Sequence, residues 1–425
     1  MRKGPLSVGR AHQTPLFEEL VAKGASGRHA VDMFLMTDAV YLAPQGANVH
    51  LLPFTMMDFY KFAGNPSKGT DHPNPRVKFV GGVADIICEL ILPCVPSVQE
   101  VAKDASVLVT SALARPLALL LGSKNGIPVS IVHLQPLVPT RDFPHYSHTE
   151  AFLEAILSKK GDDANVETYT LLERFQHEFT EERLAGWYRE LGVPMIRFEE
   201  DLLPMLRGER KEILVAIACC PELIPALSDA GPHVHQVGAL ADRLVPIGWE
   251  PPAGLEEFLQ ASAEPPVCVG YGSMPFDKAV RVVEALKRLG ERAVFVGDAL
   301  KCEDDEWISA NIFQVSSVPY PWLLPRCSMM LSHGGAGVVN STLRAGIPPV
   351  ISPLLGDQFF HAALLEQRGI GAQAAELKTL TADDVASGIQ KAKACKAAAR
   401  EVGEALRAQS YGPEVLVKLL ATATS

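Results

Sequence analysis

The chain has 425 residues, 48% of them hydrophobic and 21% charged, and a formal net charge of −10. That length calls for two or three domains with sizeable cores, the composition is that of a globular protein, and an acidic chain without a basic block gives nucleic acid no footing. The cysteines at 88, 94, 219, 220, 268, 302, 327 and 395 form no C-x-x-C pair, which points to free thiols in a reducing compartment.

In chain order, the first ten residues carry charge but no apolar core of a secretory signal, so a cytoplasmic protein is expected. Only Pro5 to Val8, a short first strand, precede Gly9 to Pro15 (GRAHQTP). That segment reads as a turn feeding a helix, Leu16 to Lys23, apolar at 16, 17, 20 and 21. Val31 to Met36 reads as a strand. Phe54, Met56, Met57, Phe59 and Tyr60 make an apolar, aromatic stretch, either a buried loop or the floor of a pocket. The most apolar run, Ala84 to Val98, is broken by Glu89 and Pro93 and falls short of a membrane span. Val107 to Thr110 and Val129 to Val132 read as buried strands around a helix, Arg115 to Leu121. Glu150 to Lys160 and Glu167 to Leu191 read as helices, and Ile213 to Ala218 as another strand. This alternation predicts a parallel, doubly wound sheet.

Gly238 to Pro265, with Pro246, Pro251, Pro252 and Gly254, reads as a linker holding one short helix, Leu255 to Gln260. A second alternating series follows. Val267 to Tyr271 is a strand ended by Gly272-Ser273, and Asp277 to Leu289 is a helix that Asp277 would cap. Ala293 to Val296, Ile312 to Val315 and Met329 to Leu331 are strands. Then come the turn His333-Gly334-Gly335-Ala336-Gly337, a helix from Val338 to Ala345 closed by Gly346, and a strand from Pro348 to Pro353. Phe359 to Arg368, Thr381 to Arg407 and Gly412 to Ala421 complete the helices.

The glycine turn between strand and helix puts bare backbone N–H groups at a helix N-terminus, worth roughly half a positive charge. Gly335, Ala336 and Gly337 can therefore hold an anion, and Ser273 at its own strand tip would add a contact. Asp357 beside Gln358 can accept from and donate to vicinal hydroxyls, and Asp357 could instead cap the next helix.

Several blocks stand out in order: Gln135-Pro136-Leu137 and Pro139 to Pro144 (PTRDFP) in the first half, then Gly270 to Pro275 (GYGSMP), Val318 to Arg326 (VPYPWLLPR), His333 to Gly337, Leu343 to Pro348 (LRAGIP) and Gly356 to Phe359 (GDQF). Together they resemble the GT-B, UDP-sugar-dependent glycosyltransferases, and among them the branch of sterol glucosyltransferases and bacterial macrolide or glycopeptide glycosyltransferases. The resemblance implies an α/β fold of two Rossmann-like parallel-sheet domains facing across a cleft. Residues 1–238 would bind the acceptor, 239–262 link, 263–405 bind the nucleotide sugar, and 406–425 form a last helix crossing back to the first domain.

It further implies an inverting transfer of a hexose, glucose above all, from a UDP-sugar co-substrate to a hydroxyl of a small hydrophobic acceptor such as a sterol, lipid or polyketide. Such an acceptor is compatible with peripheral membrane contact. On this resemblance His333 contacts the diphosphate, Asp357 and Gln358 hold the hexose, and the Val318 backbone reads the base. His12, four positions into the first turn and followed by x-x-Pro15, is the base. Thr140, Arg141 and His145 lie on the acceptor side, where His133 and His148 also fall. No two aspartates stand two apart, and Glu303 to Glu306 reads as a solvated loop, so no metal and no further cofactor are expected.

The chain departs from the family at Val338, where a Thr or Ser hydroxyl is usual, and at Ser317, where plant members carry a Trp. Thr110-Ser111 stands where an Asp often orients the base. A lost hydrogen bond to a charged group costs about 1.5–3 kcal/mol. Two rival readings therefore stand: a catalytically impaired UDP-sugar-binding protein, recognised by binding without turnover, and a GT-B-fold UDP-sugar epimerase, recognised by donor interconversion without acceptor.

Overall fold

Runs of Val, Ile and Leu too apolar to face water on either side become parallel strands between covering helices. The structure, a computed structural model, describes residues 31–37, 47–64, 67, 71–241, 245–246, 248–272, 276–298, 300 and 306–423. The turn and helix expected over Gly9 to Lys23, with His12, lie outside them, as do Ser273, Met274, Pro275 and residues 303–305. The chain divides into two compact units, one made of Leu16–Ala239 and Tyr411–Ser425, the other of Leu240–Ser410.

In the first unit the order is β1 (Asp32–Met36), β2 (Asn48–Leu52), α1 (Met56–Gly64), α2 (Pro75–Ile86), α3 (Val95–Ala102), β3 (Leu108–Ser111), α4 (Arg115–Asn125), β4 (Val129–His133), α5 (Thr149–Ser158), α6 (Asp163–Leu191), α7 (Leu203–Leu206), β5 (Ile213–Ile217) and β6 (Val234–Gln236). Among the described residues β1 and β2 form a two-stranded parallel sheet, and β3-β4-β5-β6 a four-stranded parallel one. All five residues of β4 are buried. Helix α6 is capped by Asp162, whose carboxylate accepts from the Ala164 amide, and ends at Gly192 with φ 68°.

The expectation that no apolar run reaches the length of a membrane span is corrected here. Pro75–Ala102 is one 28-residue helical run, long and apolar enough by composition to cross a membrane, with 67% of its most apolar window buried inside the protein. Pro93 does not break it. A π turn over Ile87–Ile91 closes with the Leu92 amide on the Ile87 carbonyl, and Pro93 then enters a 3₁₀ turn near its start, where a missing N–H costs nothing. The run packs on Leu184 and Tyr188 of α6 and on Leu117, Leu120 and Leu121 of α4.

His133 ends β4 only 1% exposed, with no hydrogen-bond partner on either ring nitrogen. Burial, helped by the positive charge of Arg115, pushes its pKa down to about 3. The unfolded chain then binds a proton near pH 6.5 that the folded chain refuses, so stability is full above that pH and falls toward pH 3. At pH 5 the loss is about 2 kcal/mol, from 1.36 kcal/mol per unit over roughly 1.5 units. His133→Phe should flatten urea midpoints measured between pH 7.5 and 5; an unchanged slope would show that His133 does not carry this loss.

The second unit runs α8 (Leu255–Gln260), β7 (Val267–Val269), α9 (Ala279–Leu289), β8 (Ala293–Val296), α10 (Glu306–Asn311), β9 (Ile312–Val315), α11 (Tyr320–Leu323), β10 (Met329–Ser332), α12 (Ala336–Ala345), β11 (Pro349–Ile351), α13 (Asp357–Gln367), β12 (Ala372–Gln373), α14 (Ala382–Ala394) and α15 (Lys396–Ala408); α16 (Gly412–Ala423) returns to the first unit. Its six strands are all parallel, in the order β12-β11-β10-β7-β8-β9. The order reverses between β7 and β10, and in open α/β sheets that switch point opens a crevice at the carboxyl ends of the strands.

Two local expectations change. Asp277 does not cap α9; Lys278 is the cap residue and contributes no side-chain cap bond, while Asp277 pairs with the Lys278 ammonium at 3.3 Å. The helix expected from Thr381 to Arg407 is two. The Cys395 amide bonds Ala392, three residues back, which tightens the turn and ends α14. That break lets α15 lie directly on the end of α12, where a Cβ on Gly403 would come 2.6 Å from Gly346 Cα.

Candidate functional site

Strands β7, β10 and β11 each release a loop at the switch-point edge. β7 runs into Gly270-Tyr271-Gly272, β10 into His333-Gly334-Gly335, and β11 into the segment that reaches Gly356 and Asp357. The Gly270 amide donates to the Leu331 carbonyl at 3.0 Å, and the Ser352 amide to the Ser332 carbonyl at 2.9 Å, so the sheet still holds these loops as they leave it. Gly270 admits Tyr320 close by: a Cβ there would lie 2.9 Å from the Tyr320 hydroxyl oxygen. Tyr271 is buried and stacked on Phe276, with ring centroids 3.8 Å apart and 12° between planes. The pair borders a cavity of about 230 Å³ at the tips of β7 and β8, which also takes in Gly272, Gly297 and Asp298.

The two glycines after His333 are needed for different reasons. Gly334 has φ 86°, and a Cβ on it would sit 2.5 Å from Ile351 Cγ2. Gly335 has an ordinary φ of −63°, but a Cβ there would lie 2.7 Å from His333 Nε2, so the imidazole folds back over the turn. Gly335 is the cap residue of α12 and brings no side-chain cap. The Val339 amide makes the bond to the Gly335 carbonyl, at 3.0 Å. The amides of Ala336, Gly337 and Val338 thus have no acceptor within the helix. With the helix dipole behind them and His333 beside them, they can attract an anion.

Val338 and Val318 both pack into the cluster around Leu323 and Met330. At Val338 packing replaces the hydroxyl usual in the resembling family, and the Val318 side chain is only 6% exposed. Gly356, with φ 59°, is the cap residue of α13, so Asp357 is not the cap but the first helical residue. Gln358 is 4% exposed, and its Oε1 accepts from the Leu354 and Leu355 amides at 2.8 and 3.1 Å. Part of that amide is therefore spent on fixing the loop that carries Asp357. Sequence reasoning missed His361, whose Nδ1 lies 2.8 Å from the Gly334 carbonyl oxygen. Its spacing of four from Asp357 was the available signal.

In the first unit Thr140 is fully buried and its hydroxyl donates to Asp229, which also accepts from the Arg141 amide at 2.9 Å. The exposed Arg141 guanidinium pairs with Asp163. His145 Nδ1 lies 2.8 Å from Ser147 Oγ and its ring stacks on Tyr146 at 4.6 Å. Burial, with His148 and Arg76 close by, pushes His145 down to about 3, too weak a base to take a hydroxyl proton. Thr140 and Arg141 thus anchor the loop between β4 and α5.

Residues 280–422 match the family model described as Erythromycin biosynthesis protein CIII-like, C-terminal domain, about a third of the chain. The sterol 3-beta-glucosyltransferase UGT80B1 of Arabidopsis thaliana is 28% identical over 283 residues, covering 62% of this chain and 42% of that protein. The sterol 3-beta-glucosyltransferase of Saccharomyces cerevisiae (strain YJM789) is 29% identical over 289 residues, 63% of this chain and 22% of that one. The chain thus spans less than half the length of these curated relatives. Among solved structures, the spinosyn rhamnosyltransferase SpnG aligns with a TM-score of 0.64 and 19% identity over 96% of this chain and 95% of that one. The glycosyltransferase VinC in complex with dTDP aligns with a TM-score of 0.62 and 17% identity over 98% and 97%. These likenesses show the GT-B fold.

Proposed function

We infer, the chain being of the family 1, GT-B glycosyltransferase type, that it moves glucose from UDP-glucose to a hydroxyl of a hydrophobic acceptor such as a sterol, with inversion and without a metal. The observation that carries this is the uncapped α12 N-terminus under His333, at the switch point of the sheet. A departing diphosphate gains charge in the transition state, and amides fixed in advance at that place stabilise it as it grows. The Asp357 carboxylate, set by the adjacent loop, can bind hexose hydroxyls. His12, outside the described residues, is the proposed base, since an unperturbed imidazole titrates near neutral pH.

Calorimetric titration with UDP-glucose, UDP and dTDP, followed by assay of sterols in detergent micelles, tests the reading. UDP binding and glucoside formation, the latter lost in His12→Ala, are the expected results. Preference for dTDP would replace the donor, and failure of every nucleoside diphosphate to bind would sink the reading. Binding without turnover, unchanged by His12→Ala, would favour a non-catalytic binding protein instead.

A further inference from the structure

His361 lies in the second turn of α13, 7% exposed, with Nδ1 2.8 Å from the Gly334 carbonyl oxygen and 3.9 Å from Asp357 Oδ2. A carbonyl oxygen only accepts, so Nδ1 carries the hydrogen and donates. The peptide that follows joins two glycines, Gly334 at φ 86° and Gly335 at φ −63°. Glycines on both sides remove the Cβ contacts that would otherwise fix the plane of such a peptide. The plane is rigid and trans, so its C=O and N–H point in opposite directions. Holding the Gly334 carbonyl on His361 therefore turns the Gly335 N–H away from α13.

We propose that His361 is a positioning residue that locks the Gly334–Gly335 peptide so that the Gly335 N–H serves as a donor to the diphosphate beside the amides of Ala336 and Gly337. The inference rests on reading this turn as the nucleotide-sugar diphosphate site. A flipped peptide would present a carbonyl oxygen to the anion in place of an N–H, turning an attraction into a repulsion. Because His361 and Asp357 share the first turns of α13, the same helix that offers a carboxylate to the hexose also sets an amide on the phosphate.

Two variants separate donation from bulk. His361→Phe keeps a ring and cannot donate, whereas His361→Asn keeps an N–H donor one bond beyond Cγ. UDP affinity, read by calorimetry, should fall roughly ten- to a hundredfold in His361→Phe, the range of a lost hydrogen bond to a charged group. Uridine, which has no phosphate, should bind both variants as it binds the parent, and His361→Asn should recover most of the UDP affinity. A crystal structure of His361→Phe without ligand should show the Gly334–Gly335 peptide flipped. An unflipped peptide, or equal losses for uridine and UDP, would overturn the proposal. A parent protein that binds no UDP while the variant's peptide is flipped would sink the reading of the site and leave the lock standing. His361→Leu, smaller and equally unable to donate, carries the same readouts should His361→Phe not fold.

Discussion

Gly334→Ala should unfold the protein at markedly lower urea than the parent, while Gly335→Ala should leave stability nearly unchanged and weaken UDP binding. The two positions are adjacent and the substitution is the same, so the contrast isolates the geometry. Alanine at 334 would have to hold φ 86°, a left-handed conformation costing about 1–2 kcal/mol. Its Cβ would also meet Ile351 Cγ2 at 2.5 Å. Ile351 is a fully buried strand residue with a branched, stiff side chain, so it cannot swing away, and overpacking of this kind adds about 1–3 kcal/mol. Alanine at 335 is unstrained at φ −63°, but its Cβ would press on His333 Nε2 from 2.7 Å. The imidazole can rotate aside, which withdraws the group that the proposed function sets beside the diphosphate and leaves the fold intact. A loss of roughly tenfold or more in UDP affinity, with a stability change under about 1 kcal/mol, is the expected signature. Equal effects of the two substitutions on stability would show that the turn is not built as described.

What the sequence made legible follows from how local each signal is. The strands β4, β5, β7, β8 and β10 are largely apolar runs buried on both faces, and such runs announce themselves without knowledge of their neighbours. The turn after β10 is legible because glycine is the residue that a close ring and a positive φ demand. β2 carries no such signal: Asn48–Leu52 is half exposed, with Leu51 57% in solvent. β6 and β12 have three and two residues, too few for any periodicity to show. Polar pairs that close the structure over long distances left no trace either. Thr140 reaches Asp229 across 89 positions and His361 reaches Gly334 across 27, and nothing in spacing links residues that only the fold brings together. For that reason the glycine turn after β10 is legible in the sequence, whereas the side chain that bonds it is not. The same limit applies in the first unit, where Thr140 drew notice as part of a block and turns out to be tied to Asp229.

Arg115 is another residue whose weight only the fold reveals. It opens α4, where a positive side chain meets the positive end of the helix dipole, and it is 2% exposed. What makes this tolerable is Glu173 on α6. Arg115 Nη1 donates to Glu173 Oε1 at 3.1 Å and Nη2 to Oε2, a two-pronged pair with side chains 3% and 14% exposed. Arg115→Met would leave the Glu173 carboxylate largely buried without this partner, which typically costs about 3–5 kcal/mol. Glu173→Gln should cost less than Arg115→Met, because an uncharged amide can still accept from the guanidinium. The double variant Arg115→Met, Glu173→Met replaces both charges with side chains of similar length and should recover most of the loss, since apolar packing can match a buried pair once neither charge is stranded. Urea midpoints for the parent, both singles and the double form a cycle whose coupling energy should exceed roughly 1 kcal/mol for residues in direct contact. Additive losses would mean that the pair is screened by water and contributes as little as a surface bridge. The cycle also bears on His133, whose ring stays uncharged first through burial and second through the Arg115 charge. Removing Arg115 should therefore shift the acid limb of stability toward higher midpoints relative to the neutral-pH value, even as the whole curve drops.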